Sequence, residues 1–322
     1  MSSYLIFIAT IAGIYAMLSL GLVFIWGQAG MVNLGLVGFF ALGAYTSAIA
    51  TKAGVPIALG WVLATIVSAS AGAALTVATR KMRGDYLAIV SLGFAEVVRL
   101  VATNETWLTR GSDGISGIRI PFKDELGSAF APSYLALVWV CVALSAWALV
   151  RLIRSPFGRA LRAVRDDEQV ASAAGKPPLR LKVKAFSFGA ALTGLAGAAY
   201  AHLTSYIAPD GFVPLLTIYI FLAATLGGYT RPAGAVIGAV VLMTLLEGTR
   251  FAAALVPGLD AVQVASLREF VIAVTLIAVM QLRPQGLLRE RNDKVATLSE
   301  VPQAGWQRST SSQETERTLE RA

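Results

Sequence analysis

Nine long apolar runs joined by polar turns leave this chain one kind of fold. They are Tyr4–Trp26, Leu34–Ala50, Pro56–Ala78, Tyr86–Ala102, Ser133–Ile153, Ala185–Ile207, Phe212–Leu226, Gly234–Leu255 and Val264–Leu282. Most are close to the roughly 20 residues that an α-helix needs to cross a bilayer. In hydrocarbon every backbone N–H and C=O must be bonded within the protein, and a helix does this segment by segment. The expected fold class is all-α, a polytopic transmembrane helix bundle of about eight to nine spans. The second and seventh runs are short and glycine-rich, which makes them candidates for re-entrant or broken helices. Charged residues make up 14% of the chain, against about 25% in a soluble domain. The opening residues show neither a basic leader region nor a cleavage site, so the first run reads as a retained span.

Charge sorts the ends of the runs. Arg80, Lys81 and Arg83 lie in the short turn after the third run, and short loops rich in Lys and Arg stay in the cytoplasm. Two crossings later the segment Arg151–Lys184 carries nine Lys/Arg against three acids, and it too is expected inside. Four more crossings bring the stretch from Arg283 to the same side. Thr103–Pro132, with four acids and three bases, then faces outward. Nine crossings put the N-terminus outside; one re-entrant segment would flip that end alone. The net charge of +8 follows from this sorting and implies no nucleic-acid partner. The middle of the basic segment, Ser155–Ala174, can form an amphipathic helix on the membrane surface, suited to passing force to a soluble partner. Residues 1–291 read as the transmembrane domain, with this loop at 154–184. Residues 292–322 are polar and mixed in charge, and are expected to form a disordered cytoplasmic tail.

Within the runs, small residues and charges carry the information. Ala190, Gly194 and Ala198 recur every fourth residue, and Gly234 and Gly238 open the eighth run, a spacing that lets helix backbones approach closely. The glycines of GQAGMVNLGLVGFFALGAY are denser than packing alone requires, so Gln28, Asn33, Gly35 and Gly38 become candidates for the lining of a translocation path. A charge at mid-membrane costs about 2.5–3.5 kcal/mol on insertion scales. Glu96 and Arg99 are three apart on one helix face and can pair, as can Glu247 and Arg250. Each pair reads either as a structural ion pair or as a polar element of the path. The match between GFAEVVR and LLEGTR hints at an internal repeat of the kind found in transporters. His202, the one histidine, is expected at the outer interface and cannot make a His-rich metal site. Cys141 sits in an apolar run as a packing residue. No phosphate-binding G-x-x-x-x-G-K-[ST], no H-E-x-x-H, no Cys/His cluster and no G-x-S-x-G elbow occurs, so no enzyme chemistry and no metal site is expected of this chain.

The polar segments also carry a family likeness. GQAGMVNLGLVGFFALGAYTSA, RGDYLAIVSLGFAEVVRL, LTRGSDGISGI, SPFGRALRAVRDDEQVASAAG and AFSFGAALTGLAGAAYAHLTSYIAP, followed by LGGYTRPAGAVIGA and RPQGLL, together resemble the LivM-type permease subunit of branched-chain amino acid ABC importers. The likeness runs from about Gly27 to Leu288, and SPFGRALRAVRDDE and RGDYLAIVSLGF are its most specific parts. It implies a bacterial inner-membrane protein that works with a homologous second permease, two cytoplasmic ATPase subunits that bind ATP and Mg²⁺, and a periplasmic binding protein. It implies no cofactor on this chain. The basic loop would be the coupling helix in a groove of the ATPase. Gly158, Arg159, Arg162, Arg165, Glu168, Ala171 and Gly175 would be its coupling residues, with Gly158 and Gly175 bounding the helix. The chain departs from the expected pattern after Gly175, where Lys176-Pro177-Pro178 replaces an apolar pair. LTRGSDGISGI would lie near the docked binding protein. Leucine, isoleucine and valine are the expected cargo, with another amino acid, an amide, urea or a sugar as alternatives. An ion-coupled secondary transporter using Glu96 and Glu247, or a scaffold without flux, would be the readings outside this class.

Overall fold

A computed structural model describes residues 2–82, 84–254, 261–282 and 286–288, all within the unit Met1–Arg289. The expected disordered tail, 292–322, lies outside the described residues. The long helices are α1 (Ser2–Val23), α2 (Leu36–Lys52), α3 (Ile57–Ala78) and α4 (Gly84–Asn104). The short helices α5 (Thr106–Thr109) and α6 (Lys123–Leu126) lead to α7 (Phe130–Arg154). Then come α8 (Pro156–Asp166), α9 (Glu168–Ala173), α10 (Pro178–Thr204), α11 (Pro214–Gly227), α12 (Pro232–Ala254) and α13 (Ala261–Leu282). Among the described residues, six stretches are long and apolar enough to cross a membrane: Ser3–Gln28, Ile57–Ala78, Tyr86–Asn104, Phe130–Arg154, Pro209–Gly227 and Pro232–Thr249. The protein is thus a polytopic all-α bundle.

The expected breaks fall elsewhere than in the short runs. α2 and α11 are continuous helices of 17 and 14 residues. The irregular backbone lies before α2, where α1 widens into a π-helical turn, Phe24–Gln28, and residues 30–35 leave the helix. The start of α2 is buried, so its free N–H groups need partners. The Ser91 hydroxyl of α4 accepts from Leu34 N (3.0 Å) and Gly35 N (3.2 Å), and the Thr217 hydroxyl of α11 accepts from Val37 N (3.3 Å).

α10 is the axis of the bundle, packed chiefly against α3, α2 and α1. The small-residue stripe read from the sequence is what permits this. A Cβ on Gly194 would strike Ser68 and lie 2.9 Å from the Ala64 carbonyl oxygen, and one on Gly43 would strike Gly194 itself. Gly227, Gly234 and Gly238 bring α11 and α12 together in the same way. Interhelical hydrogen bonds fasten the outer helices: Tyr134 Oη donates to Ala199 O (2.6 Å) and Trp139 Nε1 to Ala9 O (3.1 Å). The outward faces are apolar where lipid is expected, with Leu59, Val62 and Ile66 exposed on α3 and Val140, Leu144 and Trp147 on α7.

One end of the bundle carries a small lid. Strands β1 (Ile115–Ser116) and β2 (Tyr206–Ile207) pair antiparallel, Ile115 opposite Ile207. His202 is buried beneath them rather than placed at an interface, with Nδ1 2.6 Å from Arg119 O and Nε2 2.8 Å from the Ser47 hydroxyl.

Gly194→Val should overpack the α10–α3 contact, at a cost of about 1–3 kcal/mol. Gly248→Ala, which meets open space, should be neutral. The yield of monodisperse protein in detergent, followed through a fluorescent fusion, checks this pair.

Candidate functional site

Ser155-Pro156 starts α8 at a fixed point. Ser155 is the N-cap, its Oγ accepting from Gly158 N at 3.4 Å, and Pro156 occupies the first turn, where its missing N–H has no cost. Gly158, Leu161 and Val164 recur at helical spacing and are buried, which turns this face onto the bundle. The surface helix expected over Ser155–Ala174 is in fact two helices. Asp167 leaves helical geometry and caps α9, its Oδ1 accepting from Gln169 N (2.8 Å) and Val170 N (2.9 Å). Gly158 does not bound the helix; it lies in the first turn, where a Cβ would strike the Ile153 carbonyl. Gly175 follows α9 with φ +74°, a left-handed geometry that suits glycine.

The predicted coupling residues divide into two sets. Arg162 and Arg165 point into the protein. Arg165 Nη1 donates to Gly27 O at 2.6 Å, in the π-helical turn that ends α1. Arg162 Nη1 donates to Ile153 O (3.2 Å) and to Gln28 Oε1 (3.4 Å). Gln28 uses its other end as well, Nε2 donating to Thr230 O at 2.8 Å in the turn between α11 and α12. Trp26 stacks on Tyr229 of that turn, centroids 4.7 Å apart, and touches Phe221 of α11. One polar network thus joins α8, the end of α1 and the α11–α12 turn. Arg159 belongs to the other set, exposed, with Nη1 3.3 Å from Arg154 O. Ala171 is buried, and Glu168 is bound to Lys182 of α10 at 2.5 Å. The face left open by α8 and α9 holds Arg159, Ala163, Asp166, Gln169 and Val170, the last 66% exposed.

The candidate path residues near the start of α2 lie at bonded or closely packed positions. Gln28 belongs to the network just described. Asn33 is buried, its Oδ1 accepting from Gly35 N at 3.0 Å. Gly35 and Gly38 press against Ser91 and Ala95 of α4, where any side chain would collide. The dense glycines are there for close helix contact. Glu96 and Arg99 form a two-pronged pair on α4, Nε to Oε2 at 3.0 Å and Nη2 to Oε1 at 2.5 Å. Glu247 accepts from Tyr4 Oη at 2.5 Å, joining α12 to α1; the Arg250 side chain lies outside the described residues. Sequence reasoning missed the Trp26–Tyr229 stack, Thr230, Lys182 and exposed Val170. The LGGYTRPAGA segment was a visible signal for the first two.

Such a bundle of apolar helices is that of a multi-pass membrane protein. Residues 4–280 match the family described as the permease component of branched-chain amino acid transport systems. The chain is 35% identical over 308 residues to the high-affinity branched-chain amino acid transport system permease protein LivM of Salmonella typhimurium, covering 87% of this chain and 69% of that protein. It is 33% identical over 308 residues to LivM of Escherichia coli, with the same shares of each chain, and 29% identical over 251 residues to the permease protein LivH of the same organism, covering 72% of this chain and 80% of that one. No solved structure matches the chain significantly. The chain belongs to the branched-chain amino acid permease family.

Gln28→Leu leaves Thr230 O and Arg162 each short of one contact, and should destabilise the protein by about 1–3 kcal/mol. Combined with Arg162→Gln it should cost less than the sum of the two single changes, because both act on one network. Thermal unfolding of the purified single and double variants measures this.

Proposed function

We propose that this chain is a permease subunit of an ATP-driven importer of leucine, isoleucine and valine in a bacterial inner membrane, and that α8 and α9 are its coupling element. Its partners are a homologous second permease, two ATPase subunits that bind ATP and Mg²⁺, and a periplasmic binding protein. The observation that carries the reading is the double character of α8. Its inner face is bonded through Arg162 and Arg165 to two other parts of the bundle, and its outer face, with α9, is left open. The family's printed description and the names of the relatives supply the cargo. Two Escherichia coli relatives carry the name of one transport system and are different permease chains, which supports a pair of permeases.

Nine crossings with the N-terminus outside are supported by which helix ends meet. The ends of α1 and α11 gather at α8, on the basic side. The far ends of α2 and α10 meet at Ser47 and His202, and Tyr4 at the start of α1 meets Glu247 late in α12. Residues 1–291 form the permease domain, and 292–322 form a cytoplasmic tail. The lid of β1 and β2 then faces the binding protein. ATP binding draws the ATPases together, and α8 moves with the end of α1 and the α11–α12 turn as one body. The two conformations differ in their contacts at the ATPase interface, which is where the free energy to shift them enters.

The complex purified through this chain and placed in liposomes should take up labelled leucine only with Mg²⁺ and ATP, whether or not ion gradients are collapsed. Uptake that follows an ion gradient with ATP held constant would overturn the reading. Arg159→Glu with Val170→Glu, both on the open face, should lower uptake at least 10-fold without loss of inserted protein.

A further inference from the structure

α4 packs against α2 and touches α11, leaving one full stripe uncovered. Tyr86, Ile89, Gly93, Glu96, Val97, Leu100 and Asn104 follow one another there at helical spacing. This stripe is unlike the open faces of α3 and α7, which are apolar. The Glu96 and Arg99 side chains, the ion pair, stay 40% and 28% exposed, more than halfway along a membrane-spanning helix. A Cβ on Gly93, one turn away, would meet nothing within 4 Å, so open space lies beside the pair. Pro209–Gly211 packs on the same helix, and its Asp210 is close enough to act electrostatically on Arg99. Lipid is a poor neighbour for such a face. Ionisable groups in membrane helices sit against protein or line water-filled cavities.

Resting on the reading of this chain as one of two permeases in an amino acid importer, we propose that the Gly93–Glu96–Arg99 face is its wall of the translocation path. The second permease closes the path, and the ion pair opens to receive the cargo. A zwitterion matches the pair in both charge and number. Its ammonium exchanges for Arg99 on the Glu96 carboxylate, and its carboxylate exchanges for Glu96 on the Arg99 guanidinium, whose fork suits a two-pronged carboxylate contact. No net charge enters the membrane, and the exposed apolar neighbours Val97 and Leu100 offer contact to a branched side chain. Glu96 and Arg99 are thereby specificity-determining groups for the amino acid backbone.

The test uses the whole complex in liposomes, in a Cys141→Ser background. A positively charged, membrane-impermeant methanethiosulfonate should modify Gly93→Cys and Leu100→Cys, and leave Val62→Cys on α3 untouched. A photoreactive benzoylphenylalanine at Val97 should cross-link to the second permease. Glu96→Gln and Arg99→Gln should each raise the leucine KM at least 10-fold. The charge swap Glu96→Arg with Arg99→Glu keeps an ion pair, so it should leave assembly intact but not uptake. Failure to modify Gly93→Cys and Leu100→Cys, or full uptake by the swapped variant, would overturn the proposal. Absence of ATP-driven leucine uptake by the unmodified complex would instead overturn the functional reading, since the labelling pattern does not depend on the identity of the cargo.

Discussion

The bond from the Arg165 guanidinium to the Gly27 carbonyl fixes α8 to the end of the first apolar helix. The last carbonyls of a helix lack intrahelical donors, and Met31 N, four residues past Gly27, bonds to Ile25 O instead. In a setting with little water, such a carbonyl needs a donor from elsewhere. Here the donor is supplied by the surface helix α8. The first span therefore ends where it does because α8 is seated there, and α8 is seated because Gly30 leaves room for the Arg165 stem. Gln28 extends the same arrangement to Thr230, and the Trp26–Tyr229 stack closes it with an apolar contact. Motion applied to α8 has a bonded route into two separate parts of the bundle.

The remaining architecture is close packing of small residues around α10. Between helices in lipid there is no hydrophobic drive to association, so contact area and hydrogen bonds must hold the bundle together. Gly43 on Gly194, and Gly227 on Gly234, bring backbones as close as backbones can come. The polar side chains within the bundle are mostly used to complete backbone bonding, as Ser91 and Thr217 do at the buried start of α2. The glycine-rich approach to α2 is thus irregular and held by close contacts, with Gly35 and Gly38 against α4.

Much of this was legible in the chain. The apolar runs gave the helical bundle, and their ends fall within a few residues of the helices observed except at α10, which begins at Pro178, seven residues before the expected Ala185 and inside the expected loop. SPFG stood at the start of α8 and its amphipathic character was visible, although Gly158, Leu161 and Val164, each three residues apart, were not singled out as the buried face. The direction of the arginines was not legible. Arg159, Arg162 and Arg165 are alike in type, and which of them turns inward depends on Gly27 and Gln28, more than 130 residues away. The glycines of residues 27–43 are ambiguous for a related reason: a glycine that lines a cavity and one that admits a neighbouring backbone have the same sequence signal. The short β1–β2 ladder joins segments some 90 residues apart, and two residues per strand leave no alternation to read. Asp167 was read as one acid of three, although an Asp followed by Glu-Gln at the start of a helix is a capping signal.

The claim that everything else leans on is that α8 and α9 move with the α11–α12 turn as one body. Spin labels at Ser172 on α9 and at Arg231 beside that turn, with a second pair at Ser172 and Arg80 beyond α3, give two distances in the reconstituted complex. Pulsed electron–electron double resonance, with and without ATP and Mg²⁺, reads both. The account predicts that the Ser172–Arg231 distance stays constant while the Ser172–Arg80 distance changes on nucleotide binding. A change in the first distance, or constancy of both in a complex that hydrolyses ATP, would contradict it.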